Sequence, residues 1–131
     1  MAKTQKRQIG DLCEEIIVKH LVKRCHNILS RNYLKPWGEL DIVSIDVSQN
    51  PHVIHFIEVK GRRLDNSAYQ YRPEENVTVY KLNRLWRTIQ SWLMANPDYG
   101  GIDWQIDVVA VCLDITHKKA KIRWTKNIII G

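Results

Sequence analysis

The chain has 131 residues, 44% of them hydrophobic and 26% charged, with 4 Pro and 6 Gly, a composition inside the globular range and outside the disordered and collagen-like ones. That length buries one core and excludes a second domain with a core of its own. Twenty Lys and Arg against 14 Asp and Glu leave a formal charge of +6, which favours a polyanionic partner, either nucleic acid or an anionic membrane surface.

The start, MAKTQKRQIG, is basic and lacks the apolar stretch of a secretory signal, so residues 1–8 read as a basic arm. Residues 9–23 place Ile9, Leu12, Cys13, Ile16, Ile17, His20 and Leu21 at the spacing of one helix face. Ile28, Leu29, Tyr33 and Leu34 make a weak strand, ended by the turn residues Pro36, Trp37 and Gly38. Residues 39–46 alternate and are β-branched, and residues 52–60 carry Val53, Ile54, Phe56, Ile57 and Val59 on both faces, as an interior strand does. The short polar link with Asn50 and Pro51 predicts that these two strands are antiparallel neighbours.

Residues 61–76 show no usable period and read as a mobile working loop carrying Arg62, Arg63, Tyr69, Tyr71 and Arg72. A second helix is predicted over residues 77–96, with Leu82, Leu85, Ile89, Trp92 and Leu93 inward and Lys81, Arg84 and Arg87 beside them, stopped by Asn96 and Pro97. Residues 104–113 and 121–124 complete the set as two paired strands, giving the order α, β, β, β, α, β, β in a single mixed α/β domain over residues 1–131. No apolar run reaches the roughly 18 residues of a membrane helix. Cys13, Cys25 and Cys112 have neither zinc nor redox spacing. The expectation is a cytoplasmic protein with buried thiols and no membrane.

The charges inside the strand patterns are the informative residues, because a buried charge demands a partner or a metal. Asp41 lies in one strand, and Glu58, Val59 and Lys60 end the most apolar one. Alternation sends Glu58 and Lys60 to one face, and a hairpin brings Asp41 close to Glu58. Two adjacent carboxylates repel unless a cation lies between them. Mg²⁺, or Mn²⁺, meets that demand through Asp41, Glu58 and the Val59 carbonyl, and a metal-bound water becomes a nucleophile near neutral pH. Lys60 would position the water and the phosphate. Glu14, at the edge of the first helix's apolar stripe, can reach the same sheet end, and Glu39 is a secondary candidate. The competing reading is a structural ion pair at a strand end.

The spacing of Asp41, Glu58 and Lys60, with a helical glutamate upstream, resembles the PD-(D/E)xK nucleases, the restriction-endonuclease-like superfamily. Gly10, Glu14, His20 and Leu21, then Trp37, Gly38, Glu39, Leu40, Asp41 and Ile42, then residues 56–62, resemble the YraN-like family of small proteins with that fold. Lys81, Arg84, Leu85 and residues 106–111 continue the likeness over nearly the whole chain. Cys13 and Ile106 stand where that family commonly has Gly and Phe. The resemblance implies an αβββαβ core, a central mixed sheet flanked by helices, and a metal-dependent site carried by Glu14, Asp41, Glu58 and Lys60. Archaeal Holliday-junction resolvases look like small members of this superfamily built as C2 dimers, so a homodimer would serve paired cuts.

Arg62, Arg63, Arg72, Lys81 and Arg84 can hold phosphates and Tyr69 can stack on a base, with DNA favoured over RNA. Asp107, inside an apolar strand, calls for a structural partner, an arginine or a backbone group. The five histidines show no two-His metal spacing on a helical face and read as core or surface residues. There is neither a Gly-rich phosphate loop nor a nucleophile elbow, which removes P-loop hydrolysis and acyl transfer. The function expected is a metal-dependent nuclease or DNA-processing protein. The rivals are a non-catalytic nucleic-acid-binding module with the same fold, and a basic structural protein.

Overall fold

In the computed structural model, which describes residues 4–64 and 78–128, the chain runs α1 (Gln5–Lys23), β1 (His26–Lys35), β2 (Gly38–Asp46), β3 (Val53–Arg63), α2 (Val79–Ala95), β4 (Asp103–Asp114) and β5 (Lys119–Thr125). A 3-10 turn, Pro97–Tyr99, follows α2. Thr4 caps α1 by accepting a hydrogen bond from the Arg7 amide at 3.1 Å, and this cap starts the helix ahead of its first apolar residue. Residues 5–8 therefore belong to α1 and not to a free arm. Thr78 caps α2 in the same way, from the Lys81 amide at 3.2 Å, so α2 begins two residues later than its pattern predicts.

The strands form one sheet in the order β1-β2-β3-β4-β5. β1–β2, β2–β3 and β4–β5 pair antiparallel, whereas β3–β4 is parallel. A parallel pair needs a crossover, and α2 lies on that connection. The mixed α/β class and the element order are as expected. Gly61, Arg62 and Arg63 are corrected from loop to strand, because they stay in register with Val111, Cys112 and Leu113 of β4. Residues 65–77, with Tyr69, Tyr71 and Arg72, lie outside the described residues.

Each helix covers one face. Cys13, Ile17 and Leu21 of α1 pack on Ile42, Ile57, Val109, Val111 and Leu113. Ile89 and Trp92 of α2 pack on Leu40, Val43, Ile45, Ile54, Phe56 and Ile106. Phe56 meets Trp92 and Trp104 edge-on, with ring centroids 5.6 and 5.5 Å apart, the arrangement that aromatic quadrupoles favour. Leu12 departs from its expected inward position and is 47% exposed. Cys13 is buried, but Cys25 is exposed and Cys112 half-buried, which corrects the expectation of three buried thiols. No helix among the described residues is long and apolar enough to cross a membrane.

Two close approaches set the geometry of one sheet end. A Cβ at Gly38 would run into the Thr88 hydroxyl of α2, and a Cβ at Gly61 would run into the Cys13 sulfur of α1. Both helices therefore lie hard against the strand ends that carry Asp41, Glu58 and Lys60.

Candidate functional site

Strands β2 and β3 stay in register from Asp46 and Val53 to Ile42 and Ile57. Beyond that pair the β2–β3 ladder ends, and the Asp41 carboxylate takes over as partner: its Oδ2 accepts a hydrogen bond from the Val59 amide at 2.8 Å. β3 remains straight because β4 holds it as far as Arg63. Glu58 and Lys60 alternate with Ile57 and Val59, so they share the α2-facing side with Phe56. The Lys60 Nζ lies 3.0 Å from Glu58 Oε1.

These side chains line a cleft of about 260 Å³ with Gly38, Glu39 and Val108 of the sheet and Lys81, Arg84 and Leu85 of α2. Arg84 is anchored by donating from Nε to the Trp37 carbonyl at 2.7 Å. Arg87 lies 4.4 Å from the centre of the Trp37 ring, which ties α2 to the β1–β2 turn. Of the expected site residues, Asp41, Glu58, Lys60, Lys81 and Arg84 meet in this one cleft, and Glu39 joins them. Arg62 and Arg63 lie further along β3; alternation turns Arg62 to the side of Lys60.

Glu14 is placed differently. It is 7% exposed and lines an adjoining cleft with Arg7, Asp11, Glu15, Arg31 and Asn32. With its amide nitrogen turned toward the acids, Asn32 donates to Glu14 Oε1 at 2.9 Å and to Glu39 Oε1 at 3.1 Å. Asn32 holds a left-handed backbone, φ 51°, which asparagine tolerates better than most residues. Sequence reasoning missed it, and a lone polar residue in an edge strand offers no periodic signal.

The electrostatics reflect crowded negative charge. Burial, and then the charge of Glu58, push the Asp41 carboxyl up to about 9, against the opposing pull of the Val59 amide. Burial and the charge of Glu39 also raise Glu14, partly offset by Arg7 and Arg31. A divalent cation fits this donor set: Asp41 and Glu58 are negative when ionised, and each keeps one oxygen outside its Val59 or Lys60 contact.

Asp107, fully buried, is paired as expected for a structural acid, through backbone and neutral side-chain donors among the described residues. It accepts from the Gln105 amide at 2.7 Å, Trp124 Nε1 at 3.0 Å and the Asn127 backbone N–H at 2.9 Å, and His55 Nδ1 lies 2.7 Å away. Burial works to raise its carboxyl, but these hydrogen bonds outweigh burial and hold it below the ordinary range. His26 and His55 are core histidines, as expected, and with Asp46 they form a cluster whose donor atoms lie within 4.8 Å of one another. They come from three strands, so no spacing along one helix could reveal them.

Relatives share this chain over most of its length. It is 33% identical to a UPF0102 protein of Vibrio parahaemolyticus across 95% of this chain and 93% of that one. A UPF0102 protein of Corynebacterium efficiens is 35% identical across 87% of this chain and 85% of its own. One from Rhodopseudomonas palustris is 35% identical across 79% of this chain and 74% of its own. The model of the uncharacterised protein family UPF0102 matches residues 13–111, a span that includes α1 from Cys13, the Asp41–Glu58–Lys60 cleft and most of β4, and the chain belongs to that family.

Proposed function

We propose that the chain is a metal-dependent nuclease of the PD-(D/E)xK type, with the restriction-endonuclease-like fold, acting on phosphodiesters of nucleic acid and on DNA in preference to RNA. One observation carries the reading: Asp41, Glu58 and Lys60 line a cleft whose opposite wall supplies Lys81 and Arg84, while burial, and then the charge of Glu58, push Asp41 up to about 9. An acidic floor beneath a basic wall suits a cation and a phosphate held together.

Asp41 Oδ1 and Glu58 Oε2 would hold Mg²⁺ or Mn²⁺. The Val59 carbonyl is a further candidate ligand, since an extended residue turns its N–H and C=O to the same side and the Val59 N–H points at Asp41. A bound cation would lower the pKa of a water enough for its deprotonated form to be available near neutral pH as the nucleophile toward phosphorus, with the ester oxygen as leaving group. Lys60 steadies that water and a phosphate oxygen. Lys81 and Arg84 grip the flanking backbone, and Arg62 extends the basic track along β3, whereas alternation turns Arg63 to the other sheet face. Glu14 and Glu39 add negative potential at Asp41. With one such cleft among the described residues of a chain, a C2 homodimer would be needed for paired cuts.

The Lys60–Glu58 contact at 3.0 Å is also what a structural ion pair looks like, and it keeps the non-catalytic binding module as the second reading. Cleavage assays with Mg²⁺ and Mn²⁺ over linear, nicked, branched and single-stranded substrates separate the two. Asp41→Asn and Glu58→Gln should each abolish cleavage, with a loss on the order of 10³-fold or more, because the amide keeps the size but removes charge at the metal. Lys60→Ala should lose cleavage yet still show the melting-temperature rise that added Mg²⁺ gives the parent. Metal-independent nucleic-acid binding without cleavage would establish the second reading.

A further inference from the structure

At the sheet end remote from Asp41, three strands turn polar groups to the α1 side. His26 pairs across β1–β2 with Asp46, and Ser44 pairs across β2–β3 with His55. Alternation puts all four on the face of Ile42 and Ile57. Each potential ligand is anchored through one atom: His26 Nδ1 lies 2.9 Å from Ser44 Oγ, His55 Nδ1 lies 2.7 Å from Asp107 Oδ2, and Asp46 Oδ1 accepts from the Ser48 N–H at 2.9 Å. Three donor atoms remain. His26 Nε2 and Asp46 Oδ2 face each other at 3.6 Å, too long for a hydrogen bond. His55 Nε2 is buried with no hydrogen-bond partner, on a residue 5% exposed.

We propose that His26, Asp46 and His55 form a binding site for a transition-metal dication, Zn²⁺ foremost. Two imidazoles and one carboxylate are a zinc donor set, and three protein ligands leave a fourth position open. Imidazole nitrogen also distinguishes this site from the all-oxygen environment that Mg²⁺ prefers. The outer hydrogen bonds fix ring orientation as metal sites require: Asp107 behind His55 forms a carboxylate–histidine pair, and Ser44 holds His26. Asp46 and Asp107 together balance the charge of one dication. Lys126, the cation whose charge reaches His26, has its Nζ over the Trp124 ring at 6.0 Å. A bound ion would satisfy His55 Nε2 and clamp β1, β2 and β3 together.

This site stands apart from the proposed nuclease cleft: it lies on the opposite sheet face, five β2 residues and roughly 16 Å along from Asp41. Its test is therefore made in the Asp41→Asn/Glu58→Gln double variant, where the cleft cannot supply the signal. Full-length protein stripped with a chelator is titrated with Zn²⁺ by calorimetry and with Co²⁺ by visible absorption. The expected result is one Zn²⁺ per chain, a rise in melting temperature, and intense Co²⁺ bands typical of low-coordinate nitrogen and oxygen ligation. Adding His26→Ala or Asp46→Asn should weaken Zn²⁺ binding about tenfold or more while circular dichroism shows an intact fold. Asp46 is 15% exposed at its side chain, so Asp46→Asn decides the matter if His26→Ala fails to fold. Absence of Zn²⁺ binding in the double variant, or undiminished affinity in folded Asp46→Asn, overturns the site.

Discussion

Asp41 and Asp107 are both aspartates set into buried strands of the same sheet, yet their surroundings drive them in opposite directions. Asp107 is served by Gln105, Trp124, the Asn127 amide and His55, and its carboxyl is held below the ordinary range. Asp41 has the Val59 amide, faces Glu58, and is pushed up to about 9. A carboxylate placed to hold a fold together collects donors until its charge is satisfied. On the reading proposed above, one placed to bind a cation is left short of them, because every donor added would compete with the ion.

The largest expected effect breaks the satisfied end. Asp107→Ala removes the shared acceptor from several buried donors and should cost about 3–5 kcal/mol in chemical denaturation. A loss below about 1 kcal/mol would mean that the network is incidental and would erase the contrast with Asp41.

A smaller effect of opposite sign is expected at the other end. In metal-free protein the Asp41 carboxyl keeps its proton in the folded state while the unfolded chain releases it near pH 4. The native state then binds more protons than the unfolded one, so stability should fall as pH rises from about 4 to about 9. Asp41→Asn should flatten that decline and leave the protein as stable as the parent, or about 1–3 kcal/mol more so at pH 8. The measurement is urea denaturation across pH with a chelator present. A parent that is indifferent to pH in this window, together with a destabilised Asn variant, would move Asp41 into the same structural class as Asp107.

The smallest effect sharpens what the basic wall does. Nucleic-acid affinity should fall linearly in log salt, and Lys81→Ala and Arg84→Ala should each reduce the slope by about one while leaving sequence preference alone. An unchanged slope would assign Arg84 only to its bond with the Trp37 carbonyl.

Much of the strand end was legible before any coordinates. Two-sided apolarity identified β3 as interior, alternation placed Glu58 beside Lys60, and the polar link predicted the β2–β3 hairpin that brings Asp41 near. The N-terminal helix was read short because a cap at Thr4 outweighs the absence of apolar residues over its first turn. Arg62 and Arg63 were read as loop because strand pairing with β4, which local pattern does not encode, carries β3 past its apolar run. The charge of Glu14 reaches Asp41, and only the path of β1 decides that Asn32 bridges Glu14 to Glu39 and that Glu14 lines a second cleft.

By itself the sequence determined the element order, the mixed α/β class and the charged cluster at the end of β3, because helix and strand periods and the cost of burying charge act over a few residues. Tertiary structure alone decided which distant residues share a surface. Lys81 and Arg84 meet Asp41 only because the crossover lays α2 over that face. His26 and His55, 29 positions apart, meet only because β1, β2 and β3 lie side by side in their particular register. Register is set by pairing across strands and not by any pattern along one, so the histidine cluster had no local trace to read.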